Sequence, residues 1–220
     1  MTSFLARFAL ILILAYFLAS CGVPVRDTLY VPVRDTLYSD ELPFSGYGAY
    51  SYVVLTERPK EVSGSRQEAF CDAYLSRLES VQQYSGRPKL SLMPTFWLLV
   101  DKRDGSNSCR ELVENYDYAR AKLIMERIGK LSAHGPLLVA WTKPFEEAQG
   151  RKALVLDLSK VEPSLFSEAF AIWSARITKS PELWNNGFAL EKIKLELASF
   201  LNKYGDSIVT VIDWFSEKVG

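Results

Sequence analysis

Apolar and polar positions along the chain follow two periods, one near two residues and one near 3.6, and together they predict alternating strands and helices. Ala49 to Thr56, AYSYVVLT, is rich in β-branched and aromatic residues and lies between Gly48 and Pro59, which predicts a first strand. Ser65 with Glu68 three residues later forms a capping-box pattern, and Phe70, Tyr74, Leu78 and Val81 then share a helical face that Gly86 closes. Thr95 to Asp101, TFWLLVD, is almost continuously apolar, as a central strand covered on both faces requires. A second capping pair, Ser108 and Glu111, opens a helix whose Leu112, Tyr116, Ala119, Leu123 and Ile128 are expected to face inward, with Gly129 or Gly135 as its end. Leu137 to Thr142 and Ala153 to Leu158 predict two more strands, and the ten residues between them favour an antiparallel pair joined by a loose loop. After Pro163 the spacing is helical throughout. Phe166, Phe170, Trp173 and Ile177 form one stripe, Leu190, Ile193, Leu197 and Phe200 a second, and Ile208, Ile212, Phe215 and Val219 a third beyond Gly205. The expected fold is α/β: a mixed, mostly parallel sheet of about four strands with flanking helices and a helical C-terminal region from about residue 164.

The first residues follow neither period. One cation, Arg7, precedes an unbroken apolar run from Phe8 to Ala19, the anatomy of an export signal and too short for the roughly 20 residues of a membrane-spanning helix. Leu18, Ala19, Ser20 and Cys21 resemble the lipobox of bacterial lipoproteins. The resemblance implies cleavage before Cys21, diacylglycerol on its sulfur and acylation of the freed amine. Two or more acyl chains anchor stably where one is marginal. The resemblance therefore implies a signal peptide over 1–20 and a chain held to a bacterial membrane, facing the periplasm. Gly22 after the cysteine favours the outer membrane.

Val-Pro-Val-Arg-Asp-Thr-Leu-Tyr occurs at 23–30 and again, unchanged, at 31–38. An eight-residue duplication is too short to stack as a solenoid repeat. With Pro24, Pro32 and Pro43 opposing helix, residues 21–45 are expected to form an extended tether of reach on the order of 80 Å. The alternative is that these Val, Leu and Tyr residues add an edge strand or bind a partner by strand addition. The globular domain is then expected over 46–220.

Composition narrows the functions. Hydrophobic residues make up 48% and charged residues 24% of the chain, which suits a folded core. Lys plus Arg equals Asp plus Glu at 26 each. That balance lacks the basic excess with which nucleic-acid binders neutralise phosphates. Once Cys21 carries lipid, Cys71 and Cys109 remain as two thiols in an oxidising compartment, near the starts of two helices that follow neighbouring strands, which allows either a disulfide between them or two simply buried cysteines. No G-x-S-x-G, Walker or G-x-G-x-x-G motif occurs. His134, the one histidine, precedes a strand, whereas ligands of parallel α/β folds gather beyond strand C-termini. No catalytic set, cofactor or metal is therefore expected. Asp101 to Asn107 superficially suggests a calcium loop, but Arg103 at the third position and the lack of a glutamate at the twelfth spoil its register. The candidate ligand-binding residues are Glu57, Arg58, Ser65 and Arg66 after the first strand, which offer a cation and helix N-terminal amides, and Asp101 and Asp104 after the central one. Convergence of Glu57, Asp101 and Asp104 would make an acid/base cleft. The expected role is a lipid-anchored envelope protein acting through protein or envelope contacts, with a small-ligand-binding or hydrolytic domain as the alternative.

Overall fold

The computed structural model describes residues 30–102, 108–148, 151–174, 195 and 209–213. Residues 1–20, read above as a signal peptide, and Cys21, Asp104, Ile177 and the stripe from Leu190 to Phe200 lie outside them. Among the described residues seven strands form one mixed sheet: β1 (Val31–Tyr38), β2 (Tyr50–Val54), β3 (Glu79–Ser80), β4 (Leu92–Leu99), β5 (Leu137–Trp141), β6 (Lys152–Asp157) and β7 (Val209–Asp213), in the order β3-β1-β4-β2-β5-β6-β7. The helices are α1 (Arg66–Arg77), α2 (Cys109–Glu114), α3 (Tyr118–Arg127) and α4 (Phe166–Ile172). No helix among the described residues is long and apolar enough to cross a membrane.

The α/β class holds, but the sheet is larger and less parallel than the sequence predicts. β3, β1, β4 and β2 run parallel, whereas β5, β6 and β7 alternate antiparallel. The central-strand reading of β4 is met: all eight of its residues are buried.

The principal correction concerns the tether. The second octapeptide copy is β1, an interior strand paired along its whole length with β4. The reason lies in backbone accounting. β4 is buried along its length and its amides and carbonyls point alternately to its two sides, so those facing away from β2 need a ladder of their own, which β1 supplies. Val33 and Leu37 alternate into the core while Arg34 reaches α1, donating to the Leu75 carbonyl at 3.4 Å. Residues 31–38, upstream of the expected start at residue 46, are therefore part of the sheet. Residues 39–49 then carry the chain across β4 to β2, held by buried Arg120, which donates to the carbonyls of Tyr38 (2.8 Å) and Glu41 (2.9 Å) and to Glu146 (2.6 Å).

Two further corrections follow the same logic. The helix expected from Ser108 to Ile128 is broken at 115–117, where Val100 donates to Asn115 and Asp117 donates to Leu98, extending the edge of β4; Asp117 then caps a new helix. The break rotates the second half, so Leu123 is exposed rather than inward. In the C-terminal region, α4 buries Phe166 and Phe170, as their spacing predicts, but Val209–Asp213 is a strand paired with β6, not part of a third helix. A four-residue stripe beginning at Ile208 fixes no period when the segment is this short.

The core has two faces. α1, α2 and α4 cover one, where Trp97 donates to the Leu112 carbonyl at 3.0 Å and stacks between Tyr74 and Tyr116. Cys71 of α1 is bonded to Cys109 of α2, with Cα atoms 5.5 Å apart. α3 covers the other, over a cluster of Tyr52, Phe96, Trp141 and Phe145.

Candidate functional site

At the C-terminal end of β2 the chain turns through Thr56, Glu57 and Arg58 and meets the flank of α3. A cleft of about 360 Å³ opens there, lined by these three residues with Tyr118, Lys122, Met125 and Leu131. Local chemistry fixes its wall. The Thr56 hydroxyl accepts from the Gly135 amide at 2.8 Å, pinning the turn before β5, and Gln67 donates to the Glu57 carbonyl at 3.1 Å, pinning the turn to α1. The Arg58 guanidinium lies 5.2 Å from the centre of the Tyr118 ring. Burial pushes the Tyr118 phenol up to about 12, against the opposing pull of Arg58. Its hydroxyl is buried with no hydrogen-bond partner among the described residues. An orphaned buried donor costs about 1–3 kcal/mol, so this wall of the cleft gains from any acceptor brought to it.

The sequence candidates separate. Glu57 and Arg58 line the cleft, but Ser65 and Arg66 do not. Ser65 caps α1, accepting from the Glu68 amide at 3.1 Å. Arg66 is consumed structurally: it donates to the carbonyls of Leu158 (2.6 Å) and Val161 and lies 4.8 Å over the Phe166 ring, tying α1 to the segment before α4. Asp101 does not line the cleft; its carbonyl accepts from Asn115 at 2.6 Å, and the expected convergence with Glu57 is not formed. Asp104 lies outside the described residues. Sequence reasoning missed Tyr118, Lys122, Met125 and Leu131, because only the break at 115–117 turns this part of α3 toward β2. It also set His134 aside for a reason that fails. β5 runs antiparallel to β2, with Leu137 opposite Val54, so the turn before β5 shares the edge with Glu57. His134 is exposed there and does not line the cleft. Among the described residues, no group of three or more His, Cys, Asp or Glu side chains is placed to hold a metal ion.

A smaller cleft of about 130 Å³ lies over the β1–β3 edge, lined by Arg34, Thr36, Tyr74, Ser80 and Gln82 among others. On the same strand, burial raises the Asp35 carboxyl to about 6, with Glu41 adding to the shift and the Thr36 amide opposing it. A folded-state value above the unfolded one works against the fold. The unfolded carboxyl ionises from about pH 4, the folded one only near pH 6, so stability falls across that window and stays lowered above it. Asp35→Asn is therefore expected to stabilise the domain above pH 6 by on the order of 1–2 kcal/mol, after allowance for solvent screening, and to change little below pH 4. Denaturant titrations at pH 3.5 and 7.5 check this; an equal effect at both would contradict it.

No family model, curated protein or solved structure matches the chain.

Proposed function

We propose that this chain is a lipoprotein of the bacterial envelope, fixed to the periplasmic side of a membrane, the outer one favoured, by acyl chains on Cys21, and that its α/β domain binds a protein partner through the cleft beside β2. The observation that carries the contact reading is the character of that cleft. It is open and flanked by Leu131, 56% exposed, and its wall holds an unpaired Tyr118 hydroxyl next to Arg58 and Lys122. An apolar anchor beside two cations, one carboxylate (Glu57) and an unmet donor suits a polypeptide surface that offers backbone carbonyls and mixed charge. Among the described residues lining the cleft, Glu57 is the one carboxylate, so the cleft offers no carboxylate pair for acid/base work.

Two measurements test the two halves. Cys21→Ser is expected to shift the protein from the detergent phase to the aqueous phase; unchanged partitioning removes the lipid anchor. For the contact, a photo-crosslinking residue at Leu131 is expected to capture a partner in intact cells, and Tyr118→Phe is expected to weaken that capture severalfold while leaving the domain equally or slightly more stable, because it deletes an unmet donor. Unchanged capture by Tyr118→Phe would set this cleft aside.

A further inference from the structure

The chain enters the domain at the end of the sheet opposite this cleft. Val31 opens β1 opposite Leu92, the start of β4, so Tyr30 lies at the N-terminal end of both strands. Two other segments are packed there. Gly48 donates to the Leu92 carbonyl at 3.1 Å, and a Cβ on Gly48 would fall 2.0 Å from the Tyr30 ring and 2.5 Å from the Leu90 carbonyl, so the three segments touch with no side chain between them. The surface they present is amphipathic. Phe44 is 68% and Leu90 64% exposed, and the Lys89 ammonium stands 5.0 Å from the Phe44 ring centre and 5.8 Å from that of Tyr47. Arg87 lies 5.4 Å over Tyr84. The stretches 42–56 and 81–100 contain no Asp or Glu, and their only charges are Arg87 and Lys89. Three carboxylates border this edge: Glu79 accepts from the Tyr84 hydroxyl, Glu147 acts on Tyr50 from the β5 side, and Asp35 of β1 acts on Tyr47.

We propose that this edge docks on the anionic surface of the bilayer that holds Cys21, with Phe44 and Leu90 among the headgroups and Arg87 and Lys89 against lipid phosphates. The inference rests on the lipid-anchor reading. With β1 inside the domain, residues 22–30 alone join the acylated cysteine to the sheet, and they span at most about 30 Å. The end of the domain at Tyr30 thus stays beside the headgroups at high effective concentration, whatever its intrinsic affinity. Aromatic rings and cations at the headgroup level are what that surface attracts. β1 is eight residues, roughly 26 Å, long, so docking at this end turns the cleft at the other end outward to the periplasm, where a protein partner has access.

The test uses the full acylated chain in vesicles of phosphatidylethanolamine and phosphatidylglycerol. Cys71 and Cys109 are bonded and Cys21 is acylated, so a single introduced thiol takes an environment-sensitive dye at Ser45→Cys, beside Phe44, or at Ser132→Cys, beside Leu131. Expected is at least twofold stronger quenching by a lipid-borne quencher at position 45 than at 132, reduced by 0.5 M salt and by neutral phosphatidylcholine vesicles. Phe44→Ser with Lys89→Gln should bring position 45 down to the level of 132 while the chain still sediments with vesicles. Equal quenching at both positions in a sedimenting chain overturns the docking and leaves the anchor standing. Quenching at 45 in native membranes but not in protein-free vesicles assigns the edge to a protein and also overturns the proposal. A chain that stays in the supernatant with an unmodified Cys21 by intact mass removes the anchor, and the docking with it.

Discussion

Replacing Cys71 and Cys109 by alanine, or reducing the bond between them, is expected to lower the stability of the domain by about 4 kcal/mol on the chain-entropy account, given their sequence separation of 38. The bond joins α1 to α2 across a buried interface, with Cys71 fully buried and Cys109 at 6% exposure, so native contacts on either side persist when it is cut. The loss arises in the unfolded chain, which gains the freedom that a closed loop denies it. Domains of this size are stable by about 5–15 kcal/mol, so the bond accounts for a large share, and a fall in Tm of roughly 8–16 °C is expected. Guanidinium unfolding of the oxidised and reduced protein measures it, and a larger m-value in the reduced state should accompany the shift because more surface is exposed on unfolding. A difference under 1 kcal/mol would show that the reduced unfolded state keeps α1 and α2 together. The prediction also joins fold to address: a protein that depends on this bond requires an oxidising compartment.

What the sequence disclosed depends on how much of each signal is local. β2, β4, β5 and β6 were legible because continuous apolar runs have few other uses, and the α1 and α2 starts were legible because Ser65 and Ser108 cap the amides their spacing predicts. β1 was legible only as the alternative of an added edge strand, because Arg34, Asp35 and Thr36 at its centre look solvent-facing; its interior place follows from the far side of the buried β4, which the sequence of β1 does not disclose. The break before α3 was hidden for a similar reason: Asn115 and Asp117 leave the helix to bond Val100 and Leu98, partners set by tertiary placement. Half of the candidate cleft depends on that break. Glu57 and Arg58 follow from the rule that ligands meet strand C-termini, whereas Tyr118, Lys122 and Leu131 require the rotated helix, and the antiparallel run of β5 changes which loops share the edge.

The duplicated octapeptide carries the other large effect. The β1 slot accepts VPVRDTLY, and the chain holds that sequence twice, back to back, so removal of either copy yields the same shortened protein. Because a slip of eight residues is even, the first copy entering the slot would place every side chain on the face its counterpart occupies. The second copy is favoured by its neighbours: Arg120 clasps the carbonyls of Tyr38 and Glu41, and Tyr30 packs on Gly48. Using the first copy instead lengthens the β1–β2 connection from residues 39–49 to 31–49, a closure cost of only about 0.5 kcal/mol beyond the lost contacts. The shortened chain is therefore expected to fold, with Tm lower by a few degrees for loss of the Tyr30 contact. Val33→Asp separates the possibilities. Val33 is fully buried between β3 and β4, and an aspartate there costs several kcal/mol, enough to unfold a chain with one copy. In the full-length chain Val25 of the first copy offers an undamaged replacement, so the same substitution should cost no more than about 1–2 kcal/mol, the sum of loop lengthening and lost clasps. Near-ultraviolet dichroism and denaturation midpoints of the four proteins decide it. If Val33→Asp unfolds the full-length chain as completely as the shortened one, the slot reads only the second copy.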